Sequence, residues 1–467
     1  MIRLALVLLA LALPLATTAA PRDPFDTGSL RPPTPPRAWN GPDVPDPCGG
    51  LQALPATISL PEALDFALCR NPRTRQSWAA AKVAAAQAGV AQGATLPSVT
   101  GTVNAQGSDA RNALNAGRRD QLTGTLTFNY LLFDFGGRSA AIEQARQALF
   151  AADWTHNATM QTVVLDVSRA YYQLFAALDA LDAARAGEQF ARQSLDAARA
   201  RQKAGTATRA DVLQAQTAFA QTTLTRTQSE GATLVARGVL SNALGLAADA
   251  FVRLTPPPPA EGRAIGETAL AELLRLASER RPELRAAEAN VAAARSAVTV
   301  EESAAKATVS LFANTSAGVV QPGADPRSAA VGLTVNIPIF LGYQPTYRIQ
   351  AAREQVERQD AIREQLRNDI SLEVWRSYQD VRTQEQAVTS AGDLVVSATE
   401  SYGVAFGRYR AGVGTVIDVL NAQTALIQAS VQKIQARFNL NLAKIALARA
   451  IGALDAGLFA DASAPLR

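Results

Sequence analysis

The chain has 467 residues, a hydrophobic fraction of 48%, an aromatic fraction of only 6% and a formal net charge of +4. Much of the apolar content is therefore alanine, which favours long, closely packed helices over a thick globular core. Because basic and acidic side chains are interspersed, the sequence shows no basic footprint for nucleic acid.

The first twenty residues are typical of a Sec-type export signal. Arg3 precedes an apolar run from Leu4 to Leu15, and small residues follow at 17–20. This run is too short for a useful membrane helix, and no later stretch reaches the ~20 apolar residues that a helical span needs. We therefore expect residues 1–20 to be a signal peptide and the rest of the chain to be exported.

An irregular tail, rich in proline and glycine, is predicted at residues 21–61. The two cysteines of the chain are Cys48, in this tail, and Cys69, in the helical segment that follows. In an oxidising compartment such a pair favours a disulfide. Two free thiols are the alternative, and the sequence leaves it open.

A first structural repeat is predicted at residues 62–254, where a helical segment leads into two segments of alternating polarity. In the segments at about 98–106 and 121–132, threonine, asparagine and glutamine alternate with apolar residues, and a polar loop is predicted between them at 107–120. This alternation predicts strands with one apolar face, and about ten residues suffice for a tilted membrane strand. An ordinary exported β-hairpin would show the same pattern.

Two long helical patterns complete this repeat. The first covers the 66 residues Arg138–Lys203, and the second runs back over Ala210–Leu246. At ~1.5 Å per residue the first helix would be roughly 100 Å long. A proline-rich linker at 255–268 then interrupts the pattern.

The same order of segments recurs at residues 269–454, before a short C-terminal tail at 455–467. Strands are predicted at about 308–317 and 329–338, and a second long helical hairpin follows them. Duplication on this scale is stronger evidence for the architecture than any single motif.

The tips of the two hairpins, at about 203–211 and 410–418, share a short motif under a constant shift of 207 residues. In each tip a glycine follows one helix, and a threonine stands three residues before an aspartate at the start of the next. This pattern is typical of a helix end followed by a capped helix start. The residues concerned are Gly205, Thr208 and Asp211 in the first tip, and Gly412, Thr415 and Asp418 in the second.

Four strands per chain cannot close a barrel, and lipid does not tolerate an open sheet edge. Three copies would supply twelve strands, enough for a closed barrel in an outer membrane. The long helices would then continue below the barrel as a hollow periplasmic conduit. The sequence therefore predicts a homotrimeric channel that contacts outer-membrane lipid.

The chain resembles the TolC family of outer-membrane efflux and secretion channels over about residues 60–455. The resemblance rests on the paired tips, the L-P-E-A-L segment at Leu60–Leu64, and the strand-to-helix turns at Phe133–Gly137 and Phe340–Gly342. It implies a mainly α fold with membrane β-strands: a trimeric 12-stranded β-barrel, continued by a long α-helical coiled-coil tunnel. It also implies a passive conduit in a tripartite system, with a periplasmic adaptor protein and an inner-membrane ABC or RND-type transporter.

Within this family, the tail with Cys48 and the segment L-C-R-N-P-R-T-R at Leu68–Arg75 resemble the branch that serves type I protein secretion. Two other protein classes compete with the channel. A periplasmic coiled-coil adaptor or a structural stalk without a channel would explain the helical hairpins. Neither explains four alternating segments at matching places in two repeats.

The residue types needed for catalysis are largely missing. The single histidine, His156, lies within a long helical pattern, where it is expected to be a surface residue of the coiled coil. One histidine cannot build a metal site or serve a catalytic triad without partners, and no phosphate-binding glycine loop occurs. We therefore expect no enzyme activity, cofactor or metal.

The acids at the tips have two interpretations. Capping of their own helices is sufficient to explain Asp211 and Asp418. Alternatively, the resemblance implies a ring of carboxylates at a periplasmic constriction, formed from Asp418 in three copies, where Asn421 replaces a second acid of the family pattern. A ring of acids would favour cations.

The resemblance also assigns Tyr409 to the contacts that hold related channels closed. Gly414, however, stands where the relatives carry the arginine partner of this tyrosine. Other cations near the tips, Arg209, Arg408 and Arg410, are candidates to replace it.

Overall fold

The computed structural model describes residues 24–26, 57–112, 115–250, 252–255, 269–321 and 323–454. The predicted signal peptide, the linker at 256–268, the C-terminal tail and most of the N-terminal tail lie outside these residues. Cys69 is half of a disulfide. Its expected partner Cys48 lies outside the described residues, so this pairing stays a prediction.

The described helices and strands occur in the same order in both halves of the chain. The first half contains α1 (Leu60–Arg70), α2 (Pro72–Gly93), β1 (Ser98–Asn112), β2 (Asn115–Phe133), α3 (Gly137–Lys203) and α4 (Arg209–Ala243). The second half contains α5 (Leu270–Arg280), α6 (Pro282–Ala304), β3 (Thr308–Gln321), β4 (Arg327–Asn336), α7 (Gln344–Arg410) and α8 (Val416–Ala450). No described helix combines the length and the apolar character that a membrane span requires.

The polar loop predicted at 107–120 is wrong. Strands β1 and β2 continue through it as an antiparallel ladder up to the pair Asn112↔Asn115. Polar residues there broke the apolar alternation, but ladder hydrogen bonds join backbone groups and do not depend on it. The pairing of β2 with β3 begins at Asp120↔Gln321, so among the described residues the outer part of the β1–β2 hairpin pairs only within the hairpin.

The four strands form one antiparallel sheet in the order β1-β2-β3-β4. Its register aligns most apolar residues of the four strands on one face, as in the row that contains Val99, Phe128, Ala313 and Val331. Val331 on this face is 76% exposed in the single chain. A face this apolar and this exposed is suited to lipid.

The opposite face of the sheet carries hydroxyl and amide side chains. One row contains Thr102, Thr125, Ser316 and Ser328, which are joined in register across all four strands. The predicted division into an apolar and a polar face is therefore confirmed by the strand pairing.

Left-handed backbone joins each strand pair to its long helix. Phe135 and Gly136 have φ values of 51° and 87°, and Gly342 and Tyr343 have values of 61° and 62°. Under the shift of 207, Phe135 corresponds to Gly342 and Gly136 to Tyr343. Both turns thus keep two consecutive left-handed residues, while the glycine and the aromatic residue exchange places. A non-glycine residue in this region is strained by about 1–2 kcal/mol.

Contacts between Cα atoms divide the chain into two compact units. Lys82–Leu149 and Ala293–Glu354 belong to the unit that contains the sheet. Phe150–Ala292 and the residues from Gln355 onward belong to the other, together with α1. In this second unit, Leu64, Tyr171 and other buried residues form an apolar core around α1.

The helix breaks at Asn71-Pro72 and Arg281-Pro282 form equivalent joints in the second unit. Asn71 Nδ2 donates to the carbonyl of Ala243 at the end of α4 (2.9 Å). Arg281 Nη1 donates to the carbonyl of the equivalent Ala450 at the end of α8 (3.4 Å). Each short helix is thereby joined to the end of a returning helix.

The charges at the two joints differ. In the second repeat the guanidinium of Arg281, only 4% exposed, contacts the carboxylates of Glu283 (3.1 Å) and Glu373 (2.8 Å). Arg449 also contacts Glu373, at 2.9 Å. In the first repeat Asp166, which corresponds to Glu373, contacts Arg73, which stands at the position of Glu283. This pair lies at 2.7 Å, with side chains 56% and 39% exposed. A buried charge network in one repeat therefore corresponds to a solvated ion pair in the other.

Candidate functional site at the hairpin tips

The long helices α3 and α7 end in the same way at the two tips. Gly205 and Gly412 have φ values of 76° and 85°. Thr206 N donates to the carbonyl of Arg201, and Val413 N to the carbonyl of Arg408, at 2.9 and 3.0 Å. These bonds satisfy carbonyls that a helix end would otherwise leave unpaired, and the glycine supplies the left-handed residue that the motif needs.

The returning helices α4 and α8 begin with equivalent capping boxes. Thr208 N donates to Asp211 Oδ2 (2.8 Å), and Asp211 N donates to Thr208 Oγ1 (3.2 Å). Thr415 N donates to Asp418 Oδ2 (3.1 Å), and Asp418 N donates to Thr415 Oγ1 (3.2 Å). Both acids therefore cap their helices, which accounts for the shared Thr-x-x-Asp spacing.

Capping leaves the Asp418 carboxylate exposed to solvent. Hydrogen bonds from Thr415 hold the pKa of Asp418 below its usual range, and the charge of Arg408 lowers it further. Asn421, three residues later on the same side of α8, is also exposed. Near neutral pH this surface therefore offers one negative charge and one neutral amide per chain.

Tyr409, unlike Asp418, is buried within the chain and only 2% exposed. The guanidinium carbon of Arg201 lies 4.6 Å from the centroid of the Tyr409 ring. Arg201 Nη1 also donates to the Tyr409 carbonyl (2.9 Å), and its Nη2 donates to the Thr206 carbonyl (3.2 Å). One side chain from α3 thus contacts the end of α7 and the first tip together.

Burial raises the pKa of the Tyr409 hydroxyl, while the charge of Arg201 acts in the opposite direction. That hydroxyl has no hydrogen-bond partner among the described residues. Tyr402, two helical turns earlier, is also buried, and its ring lies 5.1 Å from that of Phe190 on α3. The two hairpins therefore share an aromatic core just above their tips.

Sequence reasoning did not identify Arg201. Arg209, Arg408 and Arg410, the candidates near Tyr409, are all exposed. The repeat offered a signal, because the shift of 207 places Arg201 opposite Arg408. Its use as the contact of Tyr409 depends on how α3 packs against α7, which the sequence does not show.

The structure gives a steric reason for the glycine at position 414. A Cβ atom there would lie 3.0 Å from Tyr409 N and 3.2 Å from the carbonyl carbon of Arg408. A larger residue, such as arginine, would require the turn to shift. The tip is therefore packed around the glycine.

His156 lies away from the tips, and the prediction that it is a surface residue is wrong. It is half-buried against α2, with Nδ1 2.8 Å from Ser77 Oγ and its ring 5.4 Å from that of Trp78. Within the described ranges, no group of three or more His, Cys, Asp or Glu side chains could hold a metal ion.

Comparison with known proteins matches residues 63–246 and 273–453 to the family described as "Outer membrane efflux protein". Protein CyaE of Bordetella pertussis is 34% identical over 414 residues, with 85% of this chain and 84% of that protein covered. Alkaline protease secretion protein AprF of Pseudomonas aeruginosa is 26% identical, with 72% and 70% covered. The solved structure of the outer-membrane channel OprN matches with a TM-score of 0.76 at 23% identity, covering 84% of this chain and 90% of that one.

Proposed function

Because the chain belongs to the outer membrane efflux protein family, we propose that it is the outer-membrane conduit of a type I system that exports polypeptides. Members of this family are efflux and secretion channels of tripartite export systems and are not enzymes. They are trimers that work with transporter systems in the Gram-negative outer membrane, with a periplasmic helical part. For this chain, what we propose beyond the family is the kind of cargo, the pump, the adaptor contact and the gate.

The proposal of a channel is based on the two different faces of the sheet. One face is apolar and exposed and the other is lined by hydroxyl and amide groups, in register across four strands. Twelve strands from three chains close a barrel with the apolar face toward lipid and the polar face toward water. Such a barrel is a passive pore, so export needs an energy source in a partner.

The cargo assignment is supported by two likenesses. The relative AprF is named for the secretion of a protein, alkaline protease. The segment Leu68–Arg75 resembles the corresponding segment of the branch that serves type I protein secretion. An ABC transporter is the pump that this assignment requires; an RND-type pump belongs to the alternative, efflux of small toxic compounds.

The tips are the proposed contact with a periplasmic adaptor protein and the proposed gate. Gly205, Thr208, Gly412 and Thr415 are all exposed in the chain, where a helical hairpin of a partner could reach them. Asp418 is the proposed acid of the constriction, next to Asn421. Tyr409 and Asp211, which are less exposed, are assigned to holding the tips in position.

Deletion of the gene in its own host tests the cargo assignment. We expect one or more proteins to disappear from the culture medium by mass spectrometry, and a plasmid copy to restore them. Retention of dyes and toxic compounds is measured in the same strains. If the secreted proteins are unchanged while such compounds accumulate, the cargo is small molecules and the type I assignment is wrong.

A site-specific cross-link tests the adaptor contact. Cysteine at position 415 is expected to cross-link to an envelope protein in intact cells. Cysteine at exposed position 431 on α8, away from the tip, serves as the control. Equal cross-linking at both positions, or none at 415, would contradict docking at the tip.

A further inference from the structure

The polar face of the sheet carries one aromatic side chain, Phe312 on β3. Among the strand residues that the structure describes, all other aromatic residues lie on the apolar face or at the strand ends. The row of Phe312 contains Ser98, Asn129 and Gly332. Phe312 therefore interrupts a surface on which most side chains are small or polar.

The ring of Phe312 lies over the backbone of Gly332. A Cβ atom built at Gly332 would be 2.9 Å from both Cε1 and Cζ of the ring. A glycine in a strand often marks such a close approach. The ring of Phe312 is half-buried in the chain.

Leu131 extends the apolar surface. It pairs with Ser310, two residues before Phe312 on the same face of β3, so the two side chains are diagonal neighbours. Leu131 lies near the end of β2, which leads to α3, and Phe312 lies near the start of β3. Together they form an apolar patch within a polar wall.

We propose that Phe312, with Leu131, is an apolar contact site for cargo inside the barrel, repeated three times around the lumen. This inference rests on the proposed function, export of polypeptides through a trimer. An extended cargo chain exposes apolar side chains as it moves through the pore, and an aromatic ring offers them a large, rigid contact area. Contacts at one level of a pore must hold cargo only weakly, because transport requires release.

A structural role for the ring is the competing explanation. An aromatic side chain that covers a glycine in a sheet also stabilises the strand pairing. If the role is only structural, loss of the ring should lower the stability of the sheet. It should not change how cargo binds inside the pore. The two explanations differ in the behaviour of molecules inside the open pore.

Single-channel recordings with the full-length trimer separate them. A soluble extended peptide rich in leucine and phenylalanine is added from the extracellular side, and a serine-rich peptide of equal length and charge is the reference. We expect Phe312→Ala to shorten the blocked time of the apolar peptide roughly three- to tenfold. The serine-rich peptide is expected to block equally in both channels.

Phe128→Ala is the matched control. Phe128 pairs with Ala313, next to Phe312 in sequence, but lies on the apolar face. Its loss is expected to leave block by the apolar peptide unchanged. If Phe312→Ala and Phe128→Ala have the same effect, or neither has any, the cargo site is refuted. Absence of wild-type channels would instead contradict the proposed function itself.

Gly332→Ala provides a second, independent arm. A methyl group there would collide with the ring and move it toward the lumen. We expect this variant to change both conductance and peptide block, and both changes to vanish in the Phe312→Ala background. An effect of Gly332→Ala that persists without the ring would show that the ring is not responsible.

Discussion

Arg201 contacts Tyr409 in two ways: its guanidinium lies 4.6 Å from the ring centroid, and its Nη1 donates to the tyrosine carbonyl at 2.9 Å. The two residues come from different hairpins, so the contact joins the end of α3 to the end of α7. Arg201 also donates to Thr206 in the first tip. Relative movement of the hairpins near the tips would have to break these contacts.

Replacing Arg201 by glutamine is therefore expected to loosen the tips. A partly buried cation–π contact and a charged hydrogen bond together contribute about 2–4 kcal/mol. We expect a higher open probability in single-channel recordings. Arg410→Gln, an exposed arginine beside Tyr409, is the control and should behave like the wild type. Equal open probability in all three channels would show that this contact does not hold the tips.

Charge at position 418 is expected to set ion preference. Asp418→Asn removes three charges from a trimer, so the cation preference should fall; Asn421→Asp adds three, so it should rise, with stronger block by multivalent cations. Because the pKa of Asp418 is lowered, the wild-type preference should persist until the pH falls below the usual aspartate range. Reversal potentials in a salt gradient provide the measurement.

Asp211→Asn is the control for the capping role, since it breaks the equivalent box at the other tip. Loss of either box should reduce local stability by about 1 kcal/mol. If reversal potentials stay the same in the Asp418 and Asn421 variants while the trimer is intact, only the capping interpretation survives.

The two joints between helices should respond differently to loss of an arginine. Arg281→Gln removes the buried guanidinium, while Arg449 still contacts Glu283 (3.5 Å) and Glu373 (2.9 Å), so the loss of charged hydrogen bonds is expected to cost about 1.5–3 kcal/mol. Arg73→Gln breaks the exposed pair with Asp166 at the joint of the first repeat, worth about 0–1 kcal/mol. Thermal denaturation of the two variants should therefore show a large and a small decrease in Tm. Similar decreases would contradict the assigned difference in burial.

The ionisation of Asp65 on α1 should make the stability of the folded protein depend on pH. Burial, and then the charge of Glu62, raises the pKa of Asp65 to about 6, and its Oδ1 has no hydrogen-bond partner among the described residues. An acid whose folded-state pKa is raised favours the folded state at low pH and loses this contribution as the pH rises through about 6.

Asp65→Asn should therefore raise Tm at pH 7.5 and have little effect at pH 4. The shift corresponds to about 1–2 kcal/mol once partial exposure is allowed for. Glu62→Ala would also remove the acceptor of the hydrogen bonds from Ser59, so it is expected to lower stability instead. An equal effect of Asp65→Asn at both pH values would contradict the raised pKa.

Much of this architecture could be predicted from the sequence because the same local patterns occur in both repeats, so each repeat supports the interpretation of the other. Both tips, the four strands and the long helices follow from periodicity, glycine positions and the Thr-x-x-Asp spacing. The strand ends could not be predicted, since backbone pairing in the β1–β2 hairpin continues where side-chain alternation stops.

Contacts between distant segments could not be predicted from the sequence either. Arg201 and Tyr409 are 208 residues apart, and Phe312 approaches Gly332 only because β3 pairs with β4 in one particular register. Such contacts depend on helix rotation and strand register, which no local pattern specifies. The exchange of glycine and aromatic residue between the two turns likewise shows that backbone handedness can be retained without residue identity.

The outer part of the β1–β2 hairpin has a practical consequence. Between Gly107 and Asp120 the described backbone bonds only within the hairpin, so this ribbon lacks the support that the wider sheet gives to the rest of β2. Two-stranded ribbons are marginally stable on their own, and loop ends of this kind tolerate added sequence. An affinity tag inserted after Asn112 would therefore leave the ladder between β2 and β3 intact. In the cell it would be displayed on the outer surface, where an antibody could count channels without entering the envelope.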